Sequence, residues 1–222
     1  MKTLLETILS RELHDPKVVI YKWLEDHKVK NYTLNDKGEI DVDGDVNISY
    51  MNIKEFPSYI QFGVVKGYFN CNDNKLISLK GSPREVKEDF VCIDNDLTTL
   101  KGAPEKVGGS FYCYSNKLTT LEGAPEEVGR DFVCYDNDLT TLKGAPEKVG
   151  GSFRCYNNKL TTLKGAPLKV KNFDCNSNNL TTLKGAPEVV DGNFNCSFNK
   201  TQFTIEDVKN VCKVKHEISI HV

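Results

Sequence analysis

The side chains that could do chemistry here are eight cysteines, four histidines, nine tyrosines and 31 carboxylates, and their spacing limits what that chemistry is. Seven of the cysteines fall at 71, 92, 113, 134, 155, 175 and 196, each two residues after a phenylalanine. A metal centre needs ligands clustered at short spacing, whereas these recur in steps of 20 to 21 residues. Side chains two apart share one face of a strand, so each cysteine follows its phenylalanine into a core and acts there as a small apolar residue. Reduced thiols are the expected state. Disulfides between stacked coils stay open as a second reading, because paired strands would bring the Cα atoms to ~4.8 Å, and metal binding is a third. The histidines (His14, His27, His216 and His221) all lie outside the cysteine array, and only His216 and His221 stand close enough in sequence to suggest a metal pair. No glycine-rich phosphate loop and no nucleophile elbow is present. The reading is a non-enzyme with no cofactor and no metal.

The elements that must position these residues are copies of one unit. Between Phe69 and Asn199 it reads Phe-x-Cys-x-x-Asn-x-Leu-x-x-Leu-x-Gly-x-Pro, with a valine three residues beyond the proline. A period of this length marks a solenoid whose coils bury a core only by stacking. Phe111 and Cys113 point inward from a short strand, Asn116 sits at the bend, Leu118 and Leu121 return to the core, and Val128 closes the coil. An asparagine amide offers two donors and an acceptor, so Asn74, Asn95, Asn116, Asn137, Asn158, Asn178 and Asn199 should form a buried ladder. Gly123-Ala124-Pro125 punctuates a far side too short for a helix. Recurring pairs such as Gly108-Gly109 and Gly150-Gly151 are read as turn residues.

A degenerate first coil begins near Val46, with Ile48 in the cysteine position and Ile53 and Phe56 in place of the leucines. It is 23 residues long, the excess lying around Tyr59 to Gly67. Residues 89–111 and 131–153 differ only at Ile93 versus Tyr135, which implies a unit of two coils. Lys75, Asp96, Lys117, Asp138 and Lys159 alternate in charge accordingly and are expected to pair between coils, each pair giving ~0.2–1 kcal/mol. Partner recognition by this column is the other reading.

The flanks read as caps. Leu4, Leu5, Ile8, Leu9 and Leu13 mark one helix, and Asp15-Pro16 starts a second that carries Val18, Val19, Ile20, Trp23 and Leu24 and ends near His27. A partner-binding or membrane-surface role is the alternative for these helices, the mixed charges on their polar face weighing against a membrane. Tyr32 to Leu34 and Ile40 to Val42 follow as strands around a turn at 35–38. At the other end, Thr204 to Asp207 suggests a capping box, with Val208, Val211 and Cys212 on one helical face and Ile218, Ile220 and Val222 in a final strand. The expected fold is α+β, mainly a β solenoid: an N-terminal cap over 1–40, coils over 41–203 and a C-terminal helix-strand cap over 204–222, forming one unit.

The repeat Phe-x-Cys-x-x-Asn-x-Leu-x-x-Leu resembles the leucine-rich repeat, with Phe and Cys in place of two leucines. Its Leu-Thr-Thr-Leu followed by Gly-Ala-Pro is similar to the short repeats of secreted bacterial leucine-rich effectors. Asn-x-Leu-Thr-Thr-Leu-Lys-Gly-Ala-Pro, preceded by Gly-x-Phe-x-Cys, resembles repeat proteins of tailed bacteriophages still more closely. The resemblance covers roughly 42–200 and implies a right-handed solenoid of about seven to eight coils serving as a recognition scaffold. The effectors' ubiquitin-ligase domain has no counterpart after the array.

Outward strand positions carry the candidate site. Tyr114, Tyr135 and Tyr156 occupy one column on three successive coils, beside Ile93, Tyr112 and Arg154, and Asp94 and Asp136 belong to the next column. Tyrosine and arginine are favoured interface anchors, so these residues are the expected partner-binding face. Stacking that merely stabilises the sheet is the competing reading, under which their loss would lower the melting temperature. The face should be centred on coils 92 to 157 and give way to small polar residues beyond them.

A net charge of -2 offers no basic excess for nucleic acid. Lys2, Glu6, Arg11, Glu12 and Asp15 interrupt the N-terminal apolar residues, so neither a signal peptide nor a membrane span is expected, and reduced thiols favour the cytoplasm. The expected role is a protein-interaction module, monomeric or homo-oligomeric. If the phage resemblance holds, it binds a host or phage protein in the host cytoplasm, a blocked defence factor being one such target. A virion-associated or self-assembling structural protein is the alternative, and a small-ligand or nucleotide binder the third reading.

Overall fold

A computed structural model describes residues 16–221 of the chain. It is a parallel β-solenoid of about nine turns. Each regular coil contributes two short strands. One begins at the repeat phenylalanine and the other ends at the repeat valine, so the molecule carries two long sheets joined at a tight corner.

The phenylalanine sheet has nine strands in sequence order, from Val46–Asn47 through Phe111–Tyr112 and Phe153–Arg154 to Ile218–Ser219, all parallel. Register is exact at the repeat level: Phe90 lies opposite Phe111, Phe111 opposite Phe132, and Phe132 opposite Phe153. Inside, the rings form a spine in which Phe90 and Phe111 stack 5.1 Å apart and Phe111 and Phe132 5.3 Å apart. The repeat cysteines and leucines are buried beside them.

The asparagine ladder forms as expected. In each step the Oδ1 of one asparagine accepts the N–H of the first leucine of the preceding coil, as from Leu118 to Asn137 at 3.0 Å. The Nδ2 of Asn137 donates back to the carbonyls of Cys113, Cys134 and Tyr135. Bends that would leave backbone groups orphaned in a dry interior are thereby satisfied by the neighbouring coil.

The valine sheet is broken. Seven strands from Tyr32–Leu34 to Lys148–Val149 form one sheet, and Lys169–Val170, Val189–Val190 and Lys213–Val214 form another. The cause is one missing residue. Three residues separate Val149 from Phe153, but only two separate Val170 from Phe173. Gly150 N–H donates to Val128 O, whereas Lys171 N–H reaches past the valine to Gly151 O at 2.8 Å. The phenylalanine sheet continues across this point and keeps the coils stacked.

The glycines at the corner serve close approach rather than chain reversal. A Cβ on Gly129 would strike the carbonyl of Gly108, and one on Gly151 would strike the carboxylate of Asp131. That carboxylate accepts the N–H of Ser152 at 2.8 Å, and Asp89 does the same for Ser110 at 2.6 Å. Asp89 and Asp131 thus run a second, intermittent ladder through space that only glycine leaves open. By contrast, Gly123 (φ +92°) in the Leu-x-Gly-x-Pro segment occupies backbone space that L side chains rarely enter.

Both ends are closed. Helix α1 (Pro16–Asp26) buries Ile20, Trp23 and Leu24, and the Trp23 ring meets Phe56 and Phe62 edge-on over the first coil. Its N-cap at Asp15 and the helix expected from Leu4 to Leu13 lie outside the described residues. The strands at 32–34 and 40–42 pair antiparallel, and the second pairs parallel with Phe62–Val65, so the hairpin starts the valine sheet.

At the C-terminus, Thr204 and Asp207 form the capping box of α2 (Ile205–Lys209). Val208 and Cys212 are buried, but Val211 is exposed, because the helix has ended before it. The chain then adds a further coil. Lys213–Val214 pairs with Val189–Val190, and Ile218–Ser219 with Phe194–Asn195. Isoleucine in the phenylalanine position hides this coil from the repeat pattern, which is why the sequence suggests seven or eight coils where nine strands stack.

Candidate functional site

The outer surface of the phenylalanine sheet carries three columns at each strand end. Residues between Phe and Cys form the first, residues after Cys the second, and residues before the ladder asparagine the third. The third is set by backbone geometry. Asp73, Asp94, Ser115, Asp136, Asn157 and Ser177 all hold φ between 49° and 53°. Aspartate and asparagine tolerate this left-handed conformation better than other L residues, so Asp94 and Asp136 are there in part for the bend itself.

Tyr114, Tyr135 and Tyr156 fill the second column as expected. Their rings stack in series, 4.3 Å apart at 13° and then 4.3 Å apart at 9°. All three are half-buried, because each ring covers the face of the next. Burial raises the phenol pKa of all three, and for Tyr114 it combines with the Tyr135 hydroxyl to push it to about 12. The phenols stay neutral across the physiological range and act as hydrogen-bonding tips on an apolar strip. Two such stacks are worth ~1–3 kcal/mol in all, so replacing the three tyrosines by alanine costs stability even where the column also binds a partner. The melting temperature alone does not separate the two readings.

Ile93 continues the column toward the N-terminus and is half-buried. Tyr112 lies in register with Val133 in the first column. Arg154 is committed. Its Nη1 donates to Asp131 Oδ2 at 2.7 Å, and although burial pushes the Asp131 pKa up, the Ser152 N–H and the Arg154 guanidinium hold it below the ordinary value. Arg154 therefore helps to fix the corner as well as bordering the tyrosines. Asp94 and Asp136 are exposed, Asp136 accepting the Asn157 amide at 2.8 Å.

The neighbouring charge column pairs within each two-coil unit: Lys117 with Asp96 and Lys159 with Asp138, both at 2.7 Å. Lys143 with Glu122 and Lys148 with Glu127 add further rungs at other positions. The eight cysteines are free and buried. Burial raises every thiol, that of Cys212 to about 11 and that of Cys196 to about 12, and Cys113 Sγ donates to Val133 O. Burial thus keeps these thiols protonated and poorly reactive toward soluble electrophiles. Among the described residues no three His, Cys, Asp or Glu side chains gather as a metal site. His27 Nδ1 donates to Trp23 O at 2.7 Å, and His221 contacts Ser197 Oγ, while His216 lies on the segment between the last two strands.

Two features of this surface escape the sequence pattern. Tyr50 and Phe198 occupy the third column at φ 57° and 53°, where every other coil places a small polar residue, and they are 75% and 57% exposed. Lining the coils up on the cysteine position, which Ile48 fills in the first coil, reveals both. On the other sheet, Leu168 is 65% exposed where the other coils carry Arg or Glu after the proline. It borders an open groove of about 620 Å³ at the sheet break, lined also by Val149, Lys171 and Asp191. No described helix is long and apolar enough to cross a membrane. Neither a protein-family model nor a curated protein matches this chain.

Proposed function

We propose that the protein is a non-catalytic interaction module that holds a protein partner against the phenylalanine sheet. The observation that carries this reading is the stacked column of Tyr114, Tyr135 and Tyr156, which offers three tyrosine edges and hydroxyls in a row on a rigid solenoid face. Tyrosine supplies contact area and a polar tip at low cost in conformational freedom, and a sheet fixed by ladder bonds presents it already ordered. The likeness of the coils to leucine-rich repeats, and to repeats of tailed bacteriophages above all, supports a setting in an infected bacterium. There the protein acts in the host cytoplasm on a host or phage protein, a defence factor being one such target.

The test is affinity capture from bacterial lysate with the wild-type chain, the Tyr114→Ala/Tyr135→Ala/Tyr156→Ala variant, and a control, Lys101→Ala/Lys164→Ala, at the far corner. Circular dichroism confirms that each is folded. A protein held by wild type and control but lost from the tyrosine variant supports the reading. Equal capture by all three rejects this face.

A further inference from the structure

The charge balance of the same face identifies the kind of partner it fits. Four acidic side chains of the array are matched by basic ones on adjacent coils: Asp96 by Lys117, Glu122 by Lys143, Asp131 by Arg154 and Asp138 by Lys159. On the phenylalanine-sheet face Asp73, Asp94 and Asp136 have no such partner, and neither does Asp174. Among the described residues no cation stands within ion-pair distance of any of them. The cations of the neighbouring column are Lys75, Lys117 and Lys159, of which the last two are already committed. Arg154, the basic residue bordering the tyrosines, is turned to Asp131.

These carboxylates are interleaved with the aromatic strip rather than gathered apart from it. The backbone N–H of Asp94 donates to Tyr114 O, and that of Asp136 to Tyr156 O. The third column continues past them to exposed aromatic rings at both ends, Tyr50 and Phe198. Tyr50 leans on the same acid, since the Asp73 carboxylate accepts its hydroxyl and raises its pKa. A bulky side chain held at positive φ is strained by ~1–3 kcal/mol, and placing it outward recovers nothing from the core. The strip is therefore aromatic at its ends and beside Tyr114 to Tyr156, and carries three acids without a cationic partner between residues 73 and 136. From Tyr50 to Phe198 it crosses eight coils, ~34 Å at the spacing of paired strands, which matches about ten residues of extended chain.

We infer that this strip binds a basic, extended segment of a partner protein, with arginine or lysine side chains meeting Asp73, Asp94 and Asp136 and the intervening residues lying on the tyrosine edges. The inference rests on the reading of this face as the interaction surface and adds the chemistry of what it holds. A nucleic acid, whose phosphates would face these carboxylates, is excluded by the same complementarity.

A random library of displayed ten-residue peptides tests this, selected on the full chain and counter-screened on two variants. Asp73→Asn/Asp94→Asn/Asp136→Asn removes charge only, and Asn157 shows that the left-handed backbone accepts asparagine. The second is the triple tyrosine-to-alanine chain. Selected peptides should be enriched in Arg and Lys and depleted in Asp and Glu. By fluorescence anisotropy a selected peptide should lose about tenfold in affinity on the aspartate variant, and should weaken as salt rises. Peptides lost on the tyrosine variant but carrying no basic excess, or unaffected by the aspartate variant, overturn the basic-partner inference and leave the face standing as an interaction surface. A selection in which neither variant loses any peptide overturns both.

Discussion

Replacing Asn137 by alanine probes the bond that holds the coils in register. The substitution removes one acceptor and one donor group. The acceptor matters more, because Oδ1 is the partner of the Leu118 N–H at 3.0 Å in a buried bend. The donor loss is milder. Cys113 O keeps the Asn116 amide at 3.2 Å, Cys134 O keeps the Asn158 amide at 3.1 Å, and Tyr135 O keeps the Ser115 N–H at 3.3 Å. One orphaned buried N–H costs ~1–3 kcal/mol, and three carbonyls that each fall from two donors to one add a few tenths apiece, giving about 3 kcal/mol. Asn199→Ala is the comparison. It severs the equivalent bond to Leu180 at 3.1 Å, but Asn199 is only part-buried at the last regular coil, where water can replace the amide, so about 1 kcal/mol is expected. Equilibrium unfolding in guanidinium chloride, with the slope checked between variants, measures both. Equal losses at the two sites, or a loss below ~1 kcal/mol at Asn137, would falsify the account of the ladder as the satisfier of otherwise orphaned backbone.

Two further outcomes follow from packing. Gly129→Ala drives a Cβ into the carbonyl of Gly108, and since the obstacle is backbone the loss should be about 3 kcal/mol, while Ala124→Gly, beside the core but without such contact, should cost about 1 kcal/mol; thermal unfolding of the two variants compares them. The thiols should resist labelling in the native state: iodoacetamide at neutral pH is expected to leave the folded chain unmodified over minutes and to modify all eight cysteines in denaturant, as counted by mass spectrometry, with Cys212 the first to react as the fold opens. Rapid native alkylation of Cys113 or Cys134 would show that the core is open.

The regular coils were legible because Phe, Cys, Asn and Leu each occupy one buried position whose chemistry has few alternatives. An asparagine at a bend between apolar strands has to bond backbone, and Asn137 does. The hairpin at 32–42 and the capping box at Thr204 were equally legible, since local turn and cap chemistry fixes them. The last coil was not, because Ile218 fills a phenylalanine site and a 24-residue step from Phe194 departs from the period. The glycine pairs were legible as conserved in spacing but not in purpose: a close approach between neighbouring coils leaves the same letter as a turn. The tyrosine column could be placed in one row from the alternation of strand faces, but its rings' mutual burial depends on rotamers that the pattern does not encode. Asp94 and Asp136 were read as site residues, and the positive φ they share gives them a backbone role that no sequence period reveals.

The alternation of Asp96, Lys117, Asp138 and Lys159 restricts how an array like this can change length. Gain or loss of two coils at a time keeps each carboxylate of this column beside an ammonium and each Gly-Gly-Ser corner beside an aspartate. Loss of the single coil around Lys117 would bring Asp96 against Asp138, turning an attraction into a repulsion of similar size. The near-identity of 89–111 and 131–153 is what growth in paired steps leaves behind. Within this column, then, removing one coil sets like charges side by side, whereas removing two restores the pairing.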